Sequence, residues 1–300
     1  MRKKLLAFFL ILVSLNINAQ NKKDLSGFYK DSSGAVIKIN NDNSFVIVGY
    51  ATVYAGKWHL TDQYIELIPD IRKHTYEVYG RREPSLKGSK IMFMGFEENR
   101  NFLKTAPETW VSVFNESPNC FSFPYVKDFP EGFKTISLCN TEMFKQGIGE
   151  IAENNLNYND FIIISNNRNR RIRPVTYRVL NNTLYDRYED VPLRRTELNE
   201  EDREMFSTIE NEAGNFSEAP EKLYANPAYN MDIPDMNEEQ YTFDKKRNTY
   251  IDRLNKDRKP GDAYHDLRIV NEYTKIRINP SNATGNIEKG SLFYASCSEN

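Results

Sequence analysis

Between Gly27 and Phe96 the chain runs through short alternations of apolar and polar residues: GFY, AVIKI, SFVIV, TVYAGKW, YIELI, TYEVY and KIMFMG. A period of two puts Ala35, Ile37 and Ile39 on one side of a strand. It does the same for Phe45 with Ile47, Ile65 with Leu67, Tyr76 with Val78, and Ile91 with Phe93. Turn-forming residues separate the runs: Asp31 to Gly34, Asn41 to Asn43, Thr61 to Gln63, and the stretch from Pro84 to Gly88. Loops this short join antiparallel neighbours, so the pattern predicts an up-and-down meander with one face as a core.

Composition turns polar over Glu97 to Pro107, and a domain boundary is placed there. Further strand-like runs follow: WVSVF (110–114), CFSFPYV (120–126), FKTISL (133–138), DFIIIS (160–165), RPVTYRVL (173–180) and TLYDRY (183–188). Asn181-Asn182 between the last two suits a tight hairpin, because asparagine tolerates positive φ. Two helices are expected. Thr141 can cap EMFKQGIGEIAEN, weakened by Gly147 and Gly149. Asn199 and Asp202 make an approximate capping box before EEDREMFSTIEN, with Met205, Phe206 and Ile209 as its apolar stripe. Residues 214–239 read as loop, and QYTFDKKRNTYIDRL, DLRIVNEYTKIRI and SLFYASC as further strands or strand and helix mixtures, with Asn248 in a turn.

Gly-x-Tyr (Gly27 to Tyr29), Asn-Asp-Asn-Ser-Phe (Asn41 to Phe45), Gly-Lys-Trp (Gly56 to Trp58) and Tyr-Ile-Glu-Leu (Tyr64 to Leu67) occur in that order. This arrangement resembles the small lipocalin-like β-barrels of bacterial envelope proteins, above all the N-terminal domain of copper-homeostasis outer-membrane lipoproteins. The resemblance covers about a quarter of the chain and implies a small barrel. The lipidated cysteine and the barrel Cys-x-x-Cys of those lipoproteins are absent, so neither membrane attachment nor a metal role carries over.

Tyr50, Thr52, Tyr54, Gly56, Trp58 and Leu60 share one face of a long bent strand. Strands of this length enclose an interior that side chains fill, which makes Trp58 a core plug and Gly56 a point of bending or close backbone approach. The alternative is an aromatic groove formed by Tyr50, Tyr54 and Trp58, suited to glycans, peptides or lipids.

The first residues, MRKKLLAFFLILVSLNINAQ, have the order of a secretory signal peptide: cations, an apolar run from Leu5 to Val13, then a small residue at Ala19. The run is shorter than the roughly 20 residues a membrane span needs. No later run reaches that length, so no integral membrane segment is expected after signal removal. The chain would then be exported, to the periplasm or the medium. Lys and Arg total 40 against 42 Asp and Glu, and loss of Arg2, Lys3 and Lys4 leaves a surplus of about five acids. That balance argues against a nucleic-acid partner.

In an oxidising compartment Cys120 and Cys139 are expected to pair, closing a loop of about 20 residues at a gain of roughly 3 kcal/mol. Cys297 would remain a buried thiol on a last strand.

Arg168, Arg170, Arg171 and Arg173 cluster in NNRNRRIRP without an acid. They could receive phosphate, a sulfated glycan or an acidic partner, or form a solvated hairpin tip. Asp232, Asp235, Glu238 and Glu239 offer oxygen ligands for calcium but lack an Asp-x-Asp-x-Asp-Gly loop. The three histidines are His59, His74 and His265, and His265 and Asp266 are adjacent, which in a strand sends them to opposite faces. No catalytic motif is present, and Asp186, Glu189 and Asp190 are the candidates for a carboxylate pair. No cofactor is implied.

The sequence therefore reads as mainly β. A signal peptide (1–19) precedes a lipocalin-like antiparallel meander or small barrel (20–104). A second β-sandwich-like unit with short helices (105–300) follows, with a possible sub-boundary at 199–215. The function expected is that of an exported, non-catalytic envelope or secreted binding or interaction protein for an unknown ligand or envelope component. The alternative is a polymer-directed hydrolase.

Overall fold

A computed structural model describes residues 25–49, 52–61, 63–97, 100–115, 122–167, 172–181, 183–187, 191–213, 218–233, 236–255 and 261–294. Residues 1–19, read from the sequence as a signal peptide, lie outside these. The described chain is mainly β and forms two compact units, with strands and helices numbered along the chain. One unit holds the described residues up to Arg72 and those between 171 and 218; the other holds 73–170 and the residues from Ala219 onward.

The first unit is one curled sheet. β1 (Gly27–Lys30), β2 (Val36–Ile39), β3 (Ser44–Gly49), β4 (Thr52–Leu60) and β5 (Tyr64–Pro69) form the expected meander, each antiparallel to the next. The chain then leaves for about a hundred residues and returns as β14 (Val175–Leu180), which pairs with β5. The hairpin to β15 (Thr183–Asp186) turns at Asn181, whose φ is +49°, as the Asn-Asn pair predicts. Beyond it, Val191 accepts from the Asp186 amide (2.9 Å), and the Leu193 amide donates to Leu184 (2.8 Å). The same run continues as β16 (Arg194–Thr196), which pairs with β1. One run thus joins the two ends of the curled sheet.

Its interior is packed with Tyr29, Ile37, Ile39, Phe45, Trp58, Ile65, Leu67, Tyr177, Leu184 and Leu193. Gly56 is required by close approach: a Cβ there would stand 2.1 Å from the Ile68 carbonyl oxygen. The outer face carries α2 (Glu200–Ala213), begun by Asn199, whose Oδ1 accepts from the Asp202 amide at 2.7 Å. Phe206 of α2 is buried against Val46 and Ala55, with Phe28 edge-on at 5.5 Å. Burial of one such ring stabilises by about 1.5–3 kcal/mol.

The second unit is a sandwich. In one sheet β10 (Tyr125–Phe129), β7 (Ser89–Met94), β13 (Asp160–Ser165), β6 (Tyr76–Arg81), β20 (Ile269–Ile276), β19 (Thr249–Asp252) and β18 (Tyr241–Asp244) follow in that order, and β17 (Lys222–Ala225) also pairs with β20. In the other the order is β21 (Ile278–Asn282), β12 (Ile148–Glu153), β11 (Thr135–Asn140), β8 (Asn101–Ala106), β9 (Thr109–Phe114) and β22 (Asn286–Phe293). Tyr76, Val78, Ile91, Phe93, Phe161 and Ile163 of the first sheet meet Leu103, Val113, Ile136, Leu138 and Ile278 of the second. The outer face of the first sheet is covered as well: Tyr79, Met92, Ile162 and Tyr273 pack under Ala219, Ala225 and Tyr229.

Three expectations change. The strands carrying Tyr76 and Ile91 do not continue the N-terminal meander: β13 lies between them, antiparallel to β6 and parallel to β7, and both belong to the second unit. The helix expected over 142–154 is only α1 (Thr141–Lys145), capped by Asn140, whose Oδ1 accepts from the Met143 amide at 2.9 Å. Gly147 at φ +69° ends it, and IGEIAE becomes β12, because the run pairs on both edges, with β11 and β21. Finally, Cys139 is a free thiol, buried in β11 beside Phe102, Trp110 and Ala283, so the expected disulfide to Cys120 is not formed. Its apolar pocket holds the sulfur away from solvent. Cys120 and Cys297 lie outside the described residues.

Candidate functional site

β6 ends in Tyr79-Gly80-Arg81, and the strand period turns Arg81 to the same face as Tyr79. β13 begins with Asp160, which is directly opposite Arg81 in the antiparallel register. Cross-strand partners of opposite charge at such a position attract, and here both are almost wholly out of solvent, Arg81 3% and Asp160 1% exposed. Arg81 Nη1 donates to Asp160 Oδ2 at 2.9 Å, and its Nη2 donates to Glu83 Oε2 at 2.7 Å and the Asn248 carbonyl at 3.2 Å.

Two tyrosines complete the enclosure of Asp160. Tyr273 of β20 donates to Oδ2 at 3.0 Å, and Tyr229 donates to Oδ1 at 2.9 Å. Tyr229 sits at φ +61°, a conformation costly for an aromatic residue, and its loop is held by Asn226. The Asn226 Oδ1 accepts from the Ala228 and Asn230 amides (2.9 Å each), while its Nδ2 donates to the carbonyls of Ala263, Tyr264 and Asp266.

Burial, together with the charge of Asp160, pushes both tyrosine hydroxyls well above their ordinary range, so they remain proton donors. Burial works against the Arg81 charge, but Tyr273, Asp160 and Glu83 outweigh it and hold the guanidinium above its usual range. Burial likewise works against the Glu83 carboxylate, but Ser85 and Arg81 outweigh it and keep the group ionised to lower pH than usual.

This network floors a cleft of about 720 Å³, a size usual for small-molecule sites. Leu86, Pro227 and Ile269 supply apolar wall, Thr249 and Asn271 polar wall, and Lys90, Lys246 and Arg247 bring cations to it. The Lys90 ammonium lies 5.1 Å from the centre of the Tyr229 ring. Among the described residues no three of His, Cys, Asp and Glu converge as metal ligands.

None of the residues singled out from sequence lines this cleft. Trp58 is 2% exposed inside the curled sheet and donates through Nε1 to the Asn40 carbonyl at 2.9 Å, and Tyr54 is half-buried against the same interior. Tyr50, Arg168, Arg170 and Arg171 lie outside the described residues, and Arg173 is exposed just before β14. Of the calcium candidates Asp232, Glu238 and Glu239 are exposed and Asp235 lies outside the described residues. Asp186 ends β15, while Glu189 and Asp190 lie outside. His265 is paired with Asp262 at 2.9 Å, and Asp266 with Arg268 at 2.9 Å, so the adjacent His265 and Asp266 serve different partners.

Two signals in the sequence bear on the site. Asp160 opens a strand that is otherwise largely apolar, DFIIIS, and Arg81-Arg82-Glu83-Pro84 closes another. Charges at the ends of strands buried on both faces need partners.

Compared with known proteins, the chain matches no family model, no curated protein and no solved structure.

Proposed function

We propose that the protein is an exported, non-catalytic binding protein, and that its ligand site is the cleft above Arg81 and Asp160. The observation that carries this reading is the state of the cleft's carboxylates. Asp160 accepts from Arg81, Tyr229 and Tyr273, and Glu83 from Arg81, Ser85 and its amide. Asp244 accepts from the amides of Lys246 and Arg247. A hydrolytic carboxylate pair needs one group free to take a proton and another free to reach the reacting carbon or a water, and these three are held by the protein itself. A rigid floor with apolar and polar walls favours recognition instead. Export rests on the order of residues 1–20, and the small lipocalin-like barrel remains the proposed kinship of the first unit.

The test is an array of small polar ligands and glycans probed with the whole chain, followed by product analysis. Saturable binding without product, lost when the exposed rim residue Ser85 is changed to Trp, is the expected result. Turnover of a bound ligand, or binding indifferent to Ser85→Trp, would overturn the reading.

A further inference from the structure

The cleft's charges do not cancel. Four cations, Arg81, Lys90, Lys246 and Arg247, share the site with three carboxylates, Glu83, Asp160 and Asp244. Asp160 and Glu83 are both committed to Arg81, and Asp244 lies 3.7 Å from Arg247. Lys90 and Lys246 form no ion pair among the described residues; Lys90, flanked in register by Asp128 and Asp160, lies over the face of Tyr229. Arg81 Nε is also buried with no hydrogen-bond partner. The chain as a whole is slightly acidic, at a formal charge of −2, so this surplus is local to the cleft.

From this we infer that the cleft receives an oxyanion, a carboxylate or phosphate carried on a small polar ligand such as an acidic sugar, and that Lys90 and Lys246 hold it. This deepens the binding reading and rests on it. A cleft with low-dielectric walls concentrates the field of unpaired cations. Lysine recognises an oxyanion as a point charge, with no demand for the planar fork of a guanidinium. Arg81 is held from below by Asp160 and Glu83 and sums with them to a single negative charge, so the positive potential of the cleft comes from Lys90 and Lys246. Thr249, Asn271 and Ser85 can then hydrogen-bond the neutral part of the ligand, while Leu86 and Ile269 cover its apolar edges.

Isothermal titration of the whole chain with glucose, glucuronate, glucose 6-phosphate and inorganic phosphate separates the possibilities. The expected result is that at least one anionic probe binds about tenfold or more tightly than glucose, and that its affinity falls with added salt. Lys90→Gln with Lys246→Gln should remove that advantage, Lys90→Arg with Lys246→Arg should retain most of it, and Ser85→Trp should abolish it. Preference for glucuronate assigns a carboxylate, and preference for glucose 6-phosphate over inorganic phosphate assigns a phosphorylated sugar. Equal binding of glucose and the anions, blocked by Ser85→Trp, would overturn the oxyanion inference and leave the cleft reading standing. Anion binding untouched by Ser85→Trp would overturn both. Binding of none of the probes would overturn the oxyanion inference alone, the ligand array remaining the test of the cleft. Melting of each variant at the wild-type temperature shows that a lost affinity is not a lost fold.

Discussion

Tyr273 donates its phenolic proton to the same Asp160 oxygen that accepts from Arg81, so one buried carboxylate oxygen ties β20 and β6 to β13. Removing the acceptor and removing the tyrosine donor are unequal losses. Asp160→Ala leaves the Arg81 charge buried and partly unpaired, which should destabilise the second unit by about 3–5 kcal/mol. Tyr273→Phe removes one hydrogen bond to a charged group and should cost about 1.5–3 kcal/mol. Chemical denaturation of the whole chain measures both, and equal losses for the two variants would contradict a network centred on the ion pair.

Cys139 leads to a prediction about reactivity and pH. It is fully buried beside Phe102 and Trp110, and burial pushes its thiol up to about 12 from an ordinary 9. In the folded protein it should resist iodoacetamide at mildly alkaline pH and react once denaturant is added, because the thiolate is the nucleophile. The raised folded value fixes the sign of the linkage. Below about pH 9 the thiol is protonated folded and unfolded, and its contribution to stability is complete. Between about 9 and 12 only the unfolded state gives up the proton, and the contribution is lost as pH rises. Buried Tyr229 and Tyr273, also raised, add to the same alkaline decline from about pH 10. Unfolding midpoints across this range should fall for the wild type and fall less steeply for Cys139→Ala.

The strands were legible because alternation is a local signal: Ile37, Ile39, Phe45, Ile65 and Leu67 all face the interior that the period of two assigns to them. Their partners were less so. β5 joins β14 across about a hundred residues, and β13 inserts between β6 and β7, which stand next to each other in sequence. Loop length favours the nearest strand, but burial on both faces rewards the more apolar one, and DFIIIS is more apolar than either neighbour. The cleft depends on that insertion. Arg81 and Asp160 are nearly eighty residues apart and become partners only in this register, so no local pattern in the sequence brings them together. The helix over 142–154 failed for a related reason, since weak local propensity yielded to pairing with two strands.

Gly56 tests the close approach inside the first unit. It faces Pro69 across the β4–β5 ladder, with the Ile68 carbonyl 2.1 Å from where a Cβ would be. The obstruction is backbone, so no side-chain rotation relieves it, and Gly56→Ala should cost about 1–3 kcal/mol or more as the two strands are forced apart. Gly261, where a Cβ meets nothing within 4 Å, is the control, and Gly261→Ala should leave the denaturation midpoint close to wild type. Similar losses at both positions would mean that glycine flexibility, and not space, sets the requirement.

Trp58 decides whether the aromatic strand serves packing or binding. Its ring is 2% exposed among Tyr29, Phe45 and Leu67, and its indole N–H is already taken by the Asn40 carbonyl, so neither its face nor its polar edge is offered to a ligand. Truncation should therefore act on stability alone: Trp58→Ala is expected to cost about 3–5 kcal/mol, the lost transfer energy plus the cavity left behind. The measurement belongs on the whole chain, because β14, β15 and β16 complete the sheet around Trp58 and a fragment ending near Lys104 would lack them. Trp58→Phe should recover much of the loss by refilling the space, while still forfeiting the bond to Asn40. Ligands of the cleft should bind Trp58→Phe as they bind the wild type. A Trp58→Ala chain that kept its midpoint but lost glycan or lipid quenching of tryptophan fluorescence would place a groove in the first unit and reverse the assignment of Trp58 to the core.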